Sequence, residues 1–190
     1  HRDIYRQEQA IGQEMAAAYG KIQKNINEEG TMTKPSIPVG YKQAPVVAMP
    51  AHEATLHQGL QYKEGNGWAN DWIVNWTATA AYASWPIEVV EAGNYQVFLK
   101  YNTPDGPGAT VQVTIGKKSI ETTIDEPFAG EQIESPDRVP RKEVYERTWG
   151  NLEVGTMQLE PGAYELRVTA SGIPNQSAME LKGVELIRID

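Results

Sequence analysis

A mainly β chain, an antiparallel jelly-roll β-sandwich preceded by one N-terminal α-helix, is the architecture this sequence predicts. Three observations carry it. Apolar residues recur at helical spacing only before about residue 30. From about residue 46 the apolar period changes to two. Clusters of Gly, Pro, Asn and Asp then interrupt that period at short intervals, with no helical stretch between them, which is the pattern of a two-sheet β domain.

Along the chain, Ile4, Ile11, Met15, Ala18, Ile22 and Ile26 form one apolar stripe on a helix over residues 1–30, with Gln and Glu opposite. Gly30 follows the charged Asn27-Glu28-Glu29 end and is placed to stop it, while Gly12 and Gly20 weaken it. One such helix cannot bury its stripe alone. It docks on the rest of this chain, on a second copy, or on a missing upstream domain. Residues 31–45 form a Pro-rich linker, with Pro35, Pro38 and Pro45 favouring extended backbone and Pro50 just beyond. Within it, Ile37-Pro38-Val39-Gly40-Tyr41 is apolar enough to pack along the next domain.

The β module is expected over 46–190. Tyr95, Val97, Leu99 and Tyr101 alternate with Gln96, Phe98 and Lys100; Val111, Val113 and Ile115 alternate with Gln112 and Thr114; Tyr164, Leu166 and Val168 alternate with Glu165, Arg167 and Thr169. Each is a strand with one face in a core. Glu91-Ala92-Gly93-Asn94, Thr103 to Gly108, Gly116-Lys117 and Glu160-Pro161-Gly162 supply the turns. Further strands are expected near 55–60, 73–77, 85–90, 119–124, 145–154 and 179–189. The stretch Asp125 to Arg141 is the one long loop, placed to form the wall of a site.

Composition narrows the partners. A net charge of -8 argues against a nucleic-acid surface, which needs clustered Lys and Arg. No apolar run is long enough for a membrane span, and no signal peptide is visible. The absence of Cys excludes thiolate chemistry, and with only His1, His52 and His57 the composition disfavours a His-rich metal site. No Ser-His-Asp order, phosphate loop or dinucleotide fingerprint is present, and every pair of carboxylates reads equally well as surface.

The segment Gly65 to Trp76 stands out. It carries Trp68, Trp72 and Trp76 among Asn, Asp and Gly. Aromatic faces cover sugar C–H patches, and amides and carboxylates meet hydroxyls, so this is carbohydrate-binding chemistry. Trp68, between Gly67 and Ala69, is the candidate exposed platform, with Tyr62, Asn66, Asn70, Asp71 and Asn102 as candidate sugar-binding partners. The competing reading makes Asn70 and Asp71 turn residues that bond their own backbone. Trp72 and Trp76 share one face of a period-two run and Ile73 the other, so one face or the other is core. Trp85 and Trp149 read as core or core-edge. For metal, Glu53 before the first strand and Glu185 in the last, with Asp190 beyond, are candidate ligands for a structural calcium, against the plainer reading as solvated acids. Glu134-Ser135-Pro136-Asp137-Arg138 approaches the Cys/Ser-x-Pro-x-Arg signature of sulfatases, but Glu134 stands where the modifiable residue belongs, so it reads as a loop.

Several of these segments together resemble a known group. Ala51-His52-Glu53-Ala54, Gly67-Trp68, Ala92 to Val97, Leu159 to Leu166 and Gly183 to Ile189 resemble the galactose-binding-like jelly roll of family 6-like carbohydrate-binding modules. The helix ending near Tyr19-Lys21-Ile22, with Ile37-Pro38-Val39-Gly40, resembles the tail of a bacterial arylsulfatase-like enzyme. That resemblance implies an upstream catalytic domain, sulfated glycans as the parent's substrates and a secreted or periplasmic setting. It implies for this portion a non-catalytic glycan-binding module or, alternatively, a sandwich that braces the catalytic domain without binding sugar. It maps the family's metal-binding Glu loosely onto Glu53.

Overall fold

A computed structural model describes residues 7–30, 34–65, 67–135, 139 and 145–190. The chain divides into two compact units, His1–Pro35 and Ser36–Asp190. The first holds helix α1 (Gln9–Glu28), none of whose residues is buried. It stops where Gly30 turns to φ +91°, a left-handed state open to glycine. Ile4, at the head of the expected stripe, lies outside the described residues.

The second unit contains β1 (Ile37–Val39), β2 (Val46–Pro50), β3 (Thr55–His57), β4 (Gln61–Tyr62), β5 (Ile73–Val74), β6 (Tyr82–Val89), β7 (Gly93–Asn102), β8 (Thr110–Ile115), β9 (Lys118–Thr123), β10 (Gly150–Leu159), β11 (Gly162–Gly172) and β12 (Glu180–Arg188). They make two six-stranded sheets. One runs β1-β6-β11-β8-β9 with β3 also on β6; the other runs β10-β7-β12-β5-β4 with β2 also on β12. All described pairings are antiparallel except β1 with β6. The mainly β sandwich expected from the two-residue period is therefore the fold.

The alternation sets the core. Tyr95, Val97 and Leu99 of β7, Val111, Val113 and Ile115 of β8, and Leu166, Val168 and Ala170 of β11 face inward between the sheets. Trp76, Trp85 and Ile73 join them, fully enclosed. Gly40, at φ +98°, is required where it stands, because a Cβ there would meet the Tyr95 hydroxyl.

Two expectations are corrected. Ile37–Val39, inside the stretch read as linker, is a strand of the first sheet, with Ile37 opposite Ile87. Pro38 is tolerated because β1 is an edge strand. The strand expected over 145–154 begins at Gly150 and runs on to Leu159, since a bulge between Glu153 and Gly155 restores the inward phase for Met157 and Leu159.

Candidate functional site

Three separated segments meet on the outward side of the second sheet. The first is the β4–β5 loop. Lys63 N–H donates to the Trp72 carbonyl (2.9 Å) and closes the hairpin, and Asp71 N–H donates to the Trp68 carbonyl (2.8 Å). The centre of the loop is filled by the Asp71 side chain, only 1% exposed. Its carboxylate accepts from the backbone N–H groups of Trp72 (2.9 Å), Gly67 (3.2 Å) and Glu64 (3.3 Å). Tyr62 packs its ring on Gly67 and donates its hydroxyl to the Ala54 carbonyl (2.8 Å). Burial, then the Asp71 and Glu53 charges, push the Tyr62 phenol above its ordinary value.

The second segment is 130–135 with 145–149. Gln132 pairs with Arg147 in an isolated bridge, extended by Ile133 N–H to the Glu146 carbonyl (2.8 Å) and Thr148 N–H to the Glu131 carbonyl (2.9 Å). Extended backbone turns Tyr145, Arg147 and Trp149 to one side. The third is the start of β12, where Leu181 enters the core and Glu180 and Lys182 are only half-buried.

Together these build an aromatic and charged cluster. The Trp72 and Trp149 rings stand edge-to-face at 5.3 Å. The Arg147 guanidinium lies 5.4 Å from one ring centroid and 5.7 Å from the other, and Lys182 Nζ lies 5.9 Å from that of Trp149. Arg147 is held by Glu180 (3.2 Å) and by the Gly130 carbonyl (2.5 Å). Lys182 is held by Glu146 (3.1 Å) and by the Asn70 carbonyl (2.9 Å). Burial alone raises the Glu146 carboxyl, but the Arg147 N–H, the Trp149 indole N–H and Lys182 outweigh it and hold it below the usual range. Beside the cluster opens a recess of about 240 Å³ lined by Lys63, Trp72, Gln132, Tyr145 and Arg147. Two of the five N–H donors of Arg147 are used in these bonds. Both charged side chains that line the recess, Lys63 and Arg147, are cationic.

None of the candidate sugar-binding residues chosen from sequence is among the described side chains that line this recess. Trp68 is half-buried in the same β4–β5 loop but is not among the lining side chains. Asn70 contributes its carbonyl to Lys182. Asp71 is not an outward hydroxyl partner, because its oxygens face backbone N–H groups. Asn102 is 2% exposed, its Oδ1 accepting the Gly130 N–H (2.9 Å). Its Nδ2 and the Trp72 indole N–H find no acceptor among the described residues. Asn66 lies outside the described residues, as do positions 136–138 of the sulfatase-like stretch. Lys63, Tyr145, Arg147 and Lys182 were missed. The signal for the middle pair was present in Tyr145-x-Arg147-x-Trp149, one face of an extended segment.

The calcium pair does not assemble. Glu185 sits opposite Ala48 and Phe98 and near Lys100 (3.9 Å). Glu53 lies beyond Pro50, which pairs with Gly183, so the antiparallel register carries the two carboxylates apart. Among the described residues no three His, Cys, Asp or Glu could share a metal ion.

The fold is similar to that of carbohydrate-binding modules and of other jelly-roll domains of known structure. A family model described as a domain of unknown function (DUF5077) matches residues 60–134. No curated protein matches the chain. Among solved structures, it is similar to the C-terminal CBM6 of the marine laminarinase LamC from Zobellia galactanivorans, with TM-score 0.51, 13% identity, 75% of this chain and 99% of that one. A carbohydrate-binding module of Cellvibrio mixtus lichenase 5A, solved with cellotriose, gives 0.51, 16%, 76% and 98%. The mosquito-larvicidal Cry4Aa toxin of Bacillus thuringiensis gives 0.57 and 14%, covering 83% of this chain but spanning only 25% of the toxin.

Proposed function

We propose that the sandwich is a non-catalytic glycan-binding module and that the recess between the 63–72 loop and Tyr145–Trp149 is its binding face. The observation that carries this is the pair of perpendicular indoles beside an open recess rimmed by cations. A sugar ring would lie on Tyr145, which lines the recess. Arg147 and Lys63 would donate to hydroxyls or to a sulfate or carboxylate substituent. The likeness to modules such as that of Cellvibrio mixtus, solved with cellotriose, supports the reading. A sulfatase parent with an upstream catalytic domain and a secreted or periplasmic setting belongs to the same proposal, and its support is the resemblance of residues 19–40. No described helix is long and apolar enough to cross a membrane.

Affinity electrophoresis through neutral, uronate and sulfated polysaccharides tests the site. The wild-type chain is retarded by at least one of them. Tyr145→Ala weakens binding roughly five- to tenfold, as loss of one stacked ring worth about 1 kcal/mol requires, while Trp68→Ala leaves it unchanged. No retardation in any gel removes the proposal. The second reading, a sandwich that braces a catalytic domain, is favoured by one observation: Arg147 and Lys182 are already held by Glu180 and Glu146. Under it the chain passes through every gel freely.

The Glu146 anchor makes the site pH-dependent. Its carboxyl titrates lower folded than unfolded, so its contribution is complete above the ordinary Glu value and is lost as pH falls through the depressed one. Retardation should hold from pH 7 to about 5 and decline below about 4; a decline centred near pH 6.5 would point to a histidine instead.

A further inference from the structure

Helix α1 carries Ile11, Met15, Tyr19, Ile22 and Ile26 between 54% and 67% exposed. With Gly12 and Gly20 inside it and no side-chain bond capping Glu8, a 20-residue helix of this kind is marginal by itself in water. Something must cover the stripe, and the order of its residues indicates what. Placed on heptads, Met15 and Ile22 form one row and Ile11 and Ala18 the other. An antiparallel second helix of the same sequence sets Ile11 against Ile22 and Met15 against the small Ala18, each contact made twice.

Charge selects the same arrangement. Glu14 and Lys21 flank one side of the seam, seven residues apart. Neither has an ion-pair partner among the described residues, whereas Lys24 already has Glu28 at 3.5 Å. In an antiparallel pair, Glu14 of each copy meets Lys21 of the other, giving two complementary contacts. A parallel pair would turn them toward Tyr19 and Ile26. We infer that α1 is a self-association element, and that its partner is the antiparallel α1 of a second copy of this chain.

Sedimentation equilibrium of the full chain tests it. The wild type should pass from monomer to dimer at roughly 10–100 µM. Glu14→Lys and Lys21→Glu each turn two attractive contacts into repulsive ones and should weaken the dimer about tenfold. The double variant E14K/K21E restores both pairs and should return to within about threefold of wild type. Urea midpoints of the sandwich should be unchanged throughout, since these side chains are exposed and lie in the separate His1–Pro35 unit. A wild type that stays monomeric across that range assigns the stripe to another protein surface and overturns the inference. So does a dimer that ignores the single changes, or a double variant no stronger than either single one.

Discussion

Trp85→Ala should lower the unfolding free energy by about 3–5 kcal/mol, the usual range for emptying a large aromatic site in a core. The site is suited to the upper part of that range. Trp85 is 0% exposed at the middle of β6, which is paired by β11 along its whole length. Its indole N–H donates to the Pro50 carbonyl at 3.0 Å. Pro50 ends β2 in the opposite sheet, so this one side chain fills the core and also bonds the two layers together. The surrounding strands cannot close the gap without breaking their registers. Trp85→Phe separates the two contributions: it keeps much of the apolar volume but leaves the Pro50 carbonyl without its donor, at a cost of about 1–3 kcal/mol. Urea denaturation followed by circular dichroism measures both, and a loss under about 1 kcal/mol for the alanine variant would mean that the sandwich core is organised around other residues.

The same region shows how far the sequence carries. The alternating runs of β7, β8 and β11 were readable because each faces the core on one side and solvent on the other, so a period of two is imposed on the residues themselves. Trp72 to Trp76 defeated that logic. Alternation made Ile73 and Trp76 mutually exclusive as core residues, yet both are fully buried. Asn75 takes φ +63°, and one left-handed residue shifts the phase so that the side chains before and after it turn inward. Strand β1 was hidden for a different reason. Its parallel pairing with residues 87–89 is a contact across some fifty positions, and nothing local to Ile37-Pro38-Val39 announces a partner. The site is long-range in the same way: Lys63 and Arg147 reach the recess from two segments and Lys182 joins the adjoining cluster from a third, and only the sheet brings them together. Trp68 drew attention because glycine and alanine flank it, but composition around a residue does not say which surface it joins. The aromatic and amide residues read from the sequence as sugar-binding lie in the loop that walls the recess, and which of them face it depends on where the backbone donors point.

That dependence can be measured at Asp71. Asp71→Ala should remove glycan retention almost entirely and lower stability by about 2–3 kcal/mol, although the side chain reaches no ligand. The carboxylate is buried and gathers N–H groups from Glu64, Gly67 and Trp72 into one point. Bonds to a charged acceptor are each worth about 1.5–3 kcal/mol, and removing the acceptor leaves several donors enclosed without a partner. The loop would reopen to hydrate them. Because Trp72 is the residue next to Asp71 and its ring faces Trp149 and Arg147, that reopening dismantles the aromatic pair from one side. Asp71→Asn is the sharper version: the shape is kept, but one oxygen becomes an NH₂ group turned toward other donors. It should lose nearly as much retention as alanine does. If Asp71→Asn binds glycan as wild type while Asp71→Ala does not, the loop needs only volume at this position. If both bind as wild type, the recess is not the binding face, whatever the sandwich as a whole retains.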